Sequence, residues 1–206
     1  LRRLTTQLQV NGVRPLGLSL DDYYVDREKT VRGPDGDYDY EALEAIDRAL
    51  LTQHVAQLLA GAEVKTARYD FVTGKSHPDG GPTLQLGTSG VLIVEGIHAL
   101  NPDVFNESFA GGVYRIFVHP ATALPSYPLS ILEPTDVRLL RRIVRDAQYR
   151  GYTASQTLAR WPKVRQGEEL HIFPFQNNAD LFFNSGLTYE LPVLKLWAEP
   201  RLAGVE

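Results

Sequence analysis

Apolar positions along the chain fall into short runs separated by amphipathic stretches, a pattern that predicts strands interleaved with helices. Leu1, Leu4 and Leu8 recur at helical spacing and Asn11-Gly12 supplies a stop, so residues 1–12 read as the middle and end of a helix. Residues 14–20 (RPLGLSL) form a short apolar run with strand character that leads into Asp21-Asp22-Tyr23-Tyr24. Asp39 is placed to cap a helix over 40–60, whose apolar set includes Leu43, Ile46, Leu50 and Leu58 and which Gly61 closes. Short strands are expected over 64–70 and 83–86, with turn chemistry over 73–81.

The clearest strand is Val91 to Val94 (VLIV), β-branched and continuously apolar, ending in Glu95-Gly96. Continuous apolarity predicts burial on both faces, as in a parallel sheet. Residues 113–118 form another strand and residues 135–150 a helix. Thr153 and Gln156 resemble a capping box for a short helix to Arg160. A second helix is expected over 164–177, disturbed at Pro174, then strands over 179–183 and 189–196. Strands alternating with helices predict an α/β fold with a mostly parallel sheet, in a single domain over 1–206.

Composition narrows the function classes. The chain has 206 residues, enough to bury a sizeable core, and its 43% hydrophobic content excludes a disordered or collagen-like chain. No apolar run approaches the roughly 18 residues of a membrane-spanning helix, so no membrane partner is expected. A net charge of −4 argues against general nucleic-acid binding. The absence of Cys excludes disulfides, thiolate metal sites and Cys nucleophiles, and agrees with a cytoplasmic location. The chain starts at Leu1 and contains no Met, and its front carries no charged-then-apolar signal segment. It reads as a piece of a longer protein.

Three features carry candidate chemistry. Asp21-Asp22 lies at the C-terminal end of a predicted strand, where ligands of open parallel sheets sit. A carboxylate there can accept a proton from a hydroxyl or hold Mg²⁺, although it can equally cap a nearby amide. Glu95, directly after VLIV, is the strand-end carboxylate a metal–phosphate site uses, or a side chain reaching solvent. Third, in TDVRLLRRIVRDAQYRG, Arg138, Arg141, Arg142 and Arg145 fall within an arc of about 100° of one helix. Leu139, Leu140, Ile143, Val144 and Ala147 occupy the opposite face. Such an arginine stripe, with Arg150 near the helix end, favours polyphosphate binding over a merely solvated face. The five His, at 54, 77, 98, 119 and 171, show no paired metal-ligand spacing and read as structural or surface residues.

These features, in this order, resemble the phosphoribulokinase/uridine kinase family of P-loop kinases. The segments SLDDYYVDRE, YDYEALEAID, ARYDFVTGK, VLIVEGIHALN, TDVRLLRRIVRDAQYRGY and NNADLFFNS carry the resemblance over nearly the whole chain. The nearest likeness is to bacterial uridine kinase-like nucleoside kinases. The resemblance implies a three-layer α/β/α fold and transfer of the γ-phosphoryl group of ATP, with Mg²⁺, to a nucleoside. It makes Asp21 the catalytic base and a Mg²⁺ ligand, and makes Glu95 an organiser of Mg²⁺ and the phosphates. Arg142, Arg145 and Arg150 become lid residues over ATP, Glu41 the holder of the ribose and Tyr69 a neighbour of the base.

The sequence also departs from the family pattern. No G-x-x-x-x-G-K-[ST] loop is present, and the resemblance places it immediately before Leu1. The expectation is therefore an N-terminally truncated domain that would be a poor kinase alone. Gly74 stands where typical uridine kinases carry a base-contacting His, Tyr152 replaces an Arg, and residues 124–134 (LPSYPLSILEP) replace a polar segment. Three readings stay open: a nucleoside kinase, a kinase for a sugar phosphate or other small alcohol, and a non-catalytic nucleotide-binding module. Homo-oligomerisation is open as well.

Overall fold

The computed structural model describes residues 1–105, 112–120 and 133–205. The chain divides into two compact units, Leu1–Val113 with Leu170–Phe175, and Tyr114–Glu169 with Gln176–Glu206.

The first unit opens with α1 (Arg2–Val10), which ends at Asn11-Gly12 as the sequence predicts. Strand β1 (Arg14–Ser19) follows and runs into a 3-10 turn over Leu20–Tyr23. Next come α2 (Arg48–Leu59), β2 (Glu63–Lys65), β3 (Arg68–Asp70), β4 (Lys75–His77), β5 (Thr83–Gln85) and β6 (Gly90–Glu95). β1 and β6 pair in parallel, from Arg14 opposite Gly90 to Ser19 opposite Glu95. β2 pairs antiparallel with β5, and β3 with β4. The core gathers Leu18, Leu20 and Tyr23 from the β1 end, Leu51 and Val55 from α2, and Tyr69 from β3. Apolar side chains from β1, α2 and β3 thus close over one another, the main favourable contribution to folding.

Three expectations change here. The helix predicted over 40–60 begins only at Arg48, because the preceding backbone has another partner. Val25 N–H donates to Ala45 O (2.9 Å), Asp47 N–H donates to Tyr23 O (2.8 Å), and Tyr24 bridges Ile46. Asp47 then caps α2 by accepting the Leu50 N–H at 3.0 Å, while Asp39 accepts the Glu41 N–H at 3.1 Å. Residues 64–70 form two strands, because Thr66 turns away to bond Pro82 O through both its N–H and its hydroxyl. β6 is not buried on both faces: Val91 is exposed and the rest are half-buried, and among the described residues β6 has β1 as its one sheet neighbour.

The second unit contains β7 (Ile116–His119), α3 (Pro134–Tyr149), α4 (Ala154–His171, its last two residues falling in the first unit), β8 (Leu181–Asn184) and α5 (Glu190–Leu202). β7 and β8 pair in parallel, Ile116 opposite Leu181. The Thr153–Gln156 capping box forms as expected, with reciprocal bonds of 3.2 and 2.9 Å. The helix it starts does not stop at Arg160. It continues through Pro162 because Thr157, Val164, Gly167 and Glu168 share a buried face that outweighs the lost backbone bond. Residues 173–178 form a 3-10 turn. The strand expected over 189–196 is instead helix α5. Glu190 in its first turn favours the helix N-terminus, and accepts the Leu187 N–H at 3.4 Å. No described helix is long and apolar enough to cross a membrane.

Candidate active site

The β1–β6 register sets the geometry of the first unit's site. Ser19 faces Glu95 at the C-terminal ends of two parallel strands, and Asp21 and Asp22 follow directly in the 3-10 turn. Leu20 and Tyr23 point into the core, at 2% and 1% exposure, which leaves Asp21 and Asp22 half-buried at the strand ends. Gly96 permits this approach. A Cβ on it would meet the Leu20 Cβ at 2.5 Å, so a side chain there would push the turn away from the strand end.

Burial pushes the Asp22 carboxyl above its usual range, a backbone hydrogen bond from Tyr69 and the nearby Arg68 pull it back, and the charge of Glu95 adds to the rise. Two carboxylates of like charge therefore converge beside the half-buried Asp21. This oxygen-rich set suits a hard divalent cation that keeps waters and completes its shell with phosphate oxygens. No group of three or more His, Asp or Glu with metal-holding geometry occurs among the described residues, so any such cation would lean on its phosphate ligands.

Tyr23 anchors the turn from below. Its hydroxyl lies 3.0 Å from His54 Nδ1 in a buried site. Burial raises the Tyr23 hydroxyl to about 12 and lowers His54, so the pair is held neutral.

Beside the turn lies an aromatic wall. Tyr24 packs against Tyr69 (ring centroids 5.5 Å apart), and Tyr69 against Phe71 (5.0 Å). Tyr69 is only 5% exposed, so its ring is largely a core ring, while Phe71 at 46% is the accessible face. Arg68, Tyr69, Asp70, Phe71, His77 and Gly80 line a shallow cavity of about 510 Å³. Arg27 packs over Gly74, whose φ is +74° and whose added Cβ would meet the guanidinium Nε at 2.6 Å. Arg27 Nη2 donates to Phe71 O at 3.0 Å. A fixed cation thus sits at the aromatic wall.

Glu41 is half-buried in a braced loop. The Tyr24 hydroxyl donates to Tyr40 O at 3.2 Å, and Asp39 holds the Glu41 N–H. His98, 1% exposed, lies against the backbone of Glu41 and Ala42. Its ring nitrogens make no well-formed hydrogen bond among the described residues. Its ring meets His171 edge-on at 5.9 Å, and burial with that neighbour lowers it to about 4. Within the first unit, Asp22 meets the Tyr69 backbone and the charge of Glu95, and Tyr24 links Tyr69 to the loop residue Tyr40, next to Glu41.

In the second unit the arginine stripe of α3 splits. Arg138 pairs with the buried Glu168, and Arg141 makes a two-pronged ion pair with Glu190 and donates to Ser185 O at 2.8 Å. Burial raises the Glu190 carboxyl, but hydrogen bonds from Arg141 and the Leu187 N–H outweigh it and leave it below its usual range. These two arginines hold α3 to its neighbours. Arg142, Arg145 and Arg150 instead gather on one carboxylate, Asp146, at 3.4, 3.0 and 3.8 Å. Residues 124–132, within the unusual segment, lie outside the described residues.

The sequence assigns no site role to Arg27, Arg68 or Asp146, and reads His98 only as a structural or surface residue. For Asp146 the signal was present: it stands four residues after Arg142, four before Arg150 and next to Arg145. The other three meet the site through tertiary folding, which spacing does not report.

The sequence model of the Phosphoribulokinase / Uridine kinase family matches residues 17–192. The chain belongs to this family. It is 28% identical over 185 residues to a uridine kinase of Tolumonas auensis, covering 89% of this chain and 76% of that one. It is 28% identical over 167 residues to a uridine kinase of Proteus mirabilis, covering 81% and 70%. A uridine kinase of Halobacterium salinarum is 25% identical over 170 residues, covering 82% and 67%. Among solved structures, a possible uridine kinase from Bacillus stearothermophilus aligns with a TM-score of 0.51 at 18% identity, over 89% of this chain and 79% of that one. That likeness shows the fold, a P-loop kinase-like α/β arrangement.

Proposed function

We propose that this member of the family is a cytoplasmic ATP-dependent kinase that transfers the γ-phosphoryl group to the 5′-hydroxyl of a uridine-like nucleoside. The observation that carries the reading is the parallel register of β1 with β6, which sets Glu95 beside the Asp21-Asp22 turn at the strand ends. Phosphoryl transfer needs positioning and charge neutralisation more than covalent help. Asp21 orients the acceptor hydroxyl and takes its proton as the new O–P bond forms and the bond to ADP breaks. Asp22, held by the Tyr69 N–H, fixes the turn that carries Asp21. Glu41 holds the ribose, and Tyr69 with Phe71 flanks the base. Arg142, Arg145 and Arg150 neutralise charge on the polyphosphate. Mg²⁺ suits the convergent carboxylates: Glu95 and Asp21 would hold it, and bound there it offsets the negative charge of the phosphates. Both compact units belong to one kinase domain in this reading.

A second reading has one specific observation in its favour. Arg27 and Arg68 stand at the aromatic wall near Tyr69, where a phosphorylated acceptor would be recognised. ADP release from Mg-ATP by the full-length protein, across a panel of nucleosides and small phosphorylated alcohols, separates the two. Turnover confined to nucleosides is the expected result. Turnover confined to phosphorylated alcohols gives the second reading, and no turnover at all gives a nucleotide-binding module.

A further inference from the structure

The arginines assigned above to polyphosphate share a carboxylate that no step of the proposed reaction uses. Asp146 lies on α3 with its side chain 4% exposed. Its Oδ1 accepts from Arg145 Nε at 3.1 Å and Nη2 at 3.0 Å, and lies 3.8 Å from Arg150 Nη1. Its Oδ2 lies 3.4 Å from Arg142 Nε and accepts the Thr157 hydroxyl at 3.5 Å. Thr157 belongs to α4 and is 1% exposed, so a second helix aims this carboxylate. The Asp146 backbone O also accepts the N–H groups of Arg150 (3.0 Å) and Tyr152 (3.2 Å), where the chain turns at Gly151 with φ +70°. Side chain and backbone of one residue thus set both the guanidinium cluster and the helix end that carries its third member.

The other acids near the stripe behave differently. Glu190 takes Arg141, and Glu168 takes Arg138 and Arg165, the latter at 3.1 Å. Asp146 contacts all three arginines of the family segment. Three guanidiniums without it would repel one another and spread apart.

We infer that Asp146 is a positioning residue that holds Arg142, Arg145 and Arg150 in the arrangement that grips polyphosphate. The inference rests on the reading of these arginines as phosphate ligands. It makes a prediction of unusual sign. Removing a negative charge from an anion site should by Coulomb's law tighten anion binding, whereas losing the organiser should weaken it.

The test is binding of inorganic tripolyphosphate to the full-length protein, which needs neither acceptor nor turnover. Asp146→Asn keeps the shape and removes the charge, and is expected to weaken binding about tenfold per folded molecule, a loss in the range of charge-assisted hydrogen bonds. Thr157→Val, which removes only the aiming hydroxyl, is expected to weaken it in the same direction by less. Tighter or unchanged binding in Asp146→Asn overturns the inference, whatever happens to its melting temperature. Should that variant not fold, unchanged binding in Thr157→Val overturns it instead. A wild type that binds no tripolyphosphate overturns it together with the phosphate reading. A wild type that binds tripolyphosphate, loses that binding in Asp146→Asn and phosphorylates no nucleoside supports this inference while refuting the proposed reaction.

Discussion

His98 shows how much one side chain can do without touching a ligand. Its ring sits beneath the backbone of Glu41 and Ala42, against His171 and near the charge of Glu44, and is held neutral down to about pH 4. In the unfolded chain an ordinary histidine takes its proton near pH 6.5. Between those two values the unfolded state binds a proton that the folded state refuses. Stability present above about pH 6.5 is therefore lost progressively as pH falls toward 4. We expect the melting temperature to drop through that window, and His98→Gln to flatten the drop when melting is followed from pH 7.5 to 4. An unchanged slope in the variant would assign the acid sensitivity to other groups. Nothing in the sequence announces this residue. A lone His after Glu95-Gly96-Ile97 has no spacing partner, and its burial follows from how the Glu41 loop folds over it.

At the scale of elements, the decisive contact is the close approach of the β6 end to the Leu20–Tyr23 turn. It depends on Gly96 having no Cβ, since one would lie 2.5 Å from that of Leu20. Gly96→Ala is expected to displace Leu20 and the aspartates that follow it. Turnover should fall at least tenfold, while the added strain costs about 1–3 kcal/mol in urea denaturation, as overpacking does. Full turnover in this variant would show that the turn tolerates movement. Here the sequence was informative: the apolar runs at 14–20 and 91–94, each followed by acids, predicted two strands that end in carboxylates. It misled over 40–60, where helical spacing of Leu43, Ile46 and Leu50 is real but the backbone of 45–47 bonds the Tyr23–Val25 strand-like segment. It misled again over 189–196, where the pairing of Glu190 with Arg141 and the helical first turn outweigh strand character. Both errors arise from partners distant in sequence, which local periodicity cannot register.

For the molecule as a whole, strands alternating with helices place the chain in the α/β class from the sequence alone. The order of the acidic turn, the strand-end Glu and the arginine helix carried the family resemblance, and the match over residues 17–192 agrees with it. Less legible was the division of labour within the arginine stripe. A helical wheel puts Arg138, Arg141, Arg142 and Arg145 on one face, yet two of them bind Glu168 and Glu190, and the others join Arg150 on Asp146. The wheel shows which residues share a face but not which acids the fold brings to it.

In the proposed reaction Asp21, rather than its neighbour Asp22, receives the proton of the acceptor hydroxyl. A single-turnover measurement of phosphoryl transfer from Mg-ATP tests it most directly, with Asp21→Asn and Asp22→Asn compared in the full-length protein. Asp21→Asn is expected to slow transfer by about a hundredfold or more while ATP still binds, in the range typical of a lost general base. Asp22→Asn, which keeps a hydrogen-bond acceptor for the Tyr69 N–H, should slow it far less. Transfer at the wild-type rate in Asp21→Asn, or a collapse confined to Asp22→Asn, would mean that Asp21 is not the base.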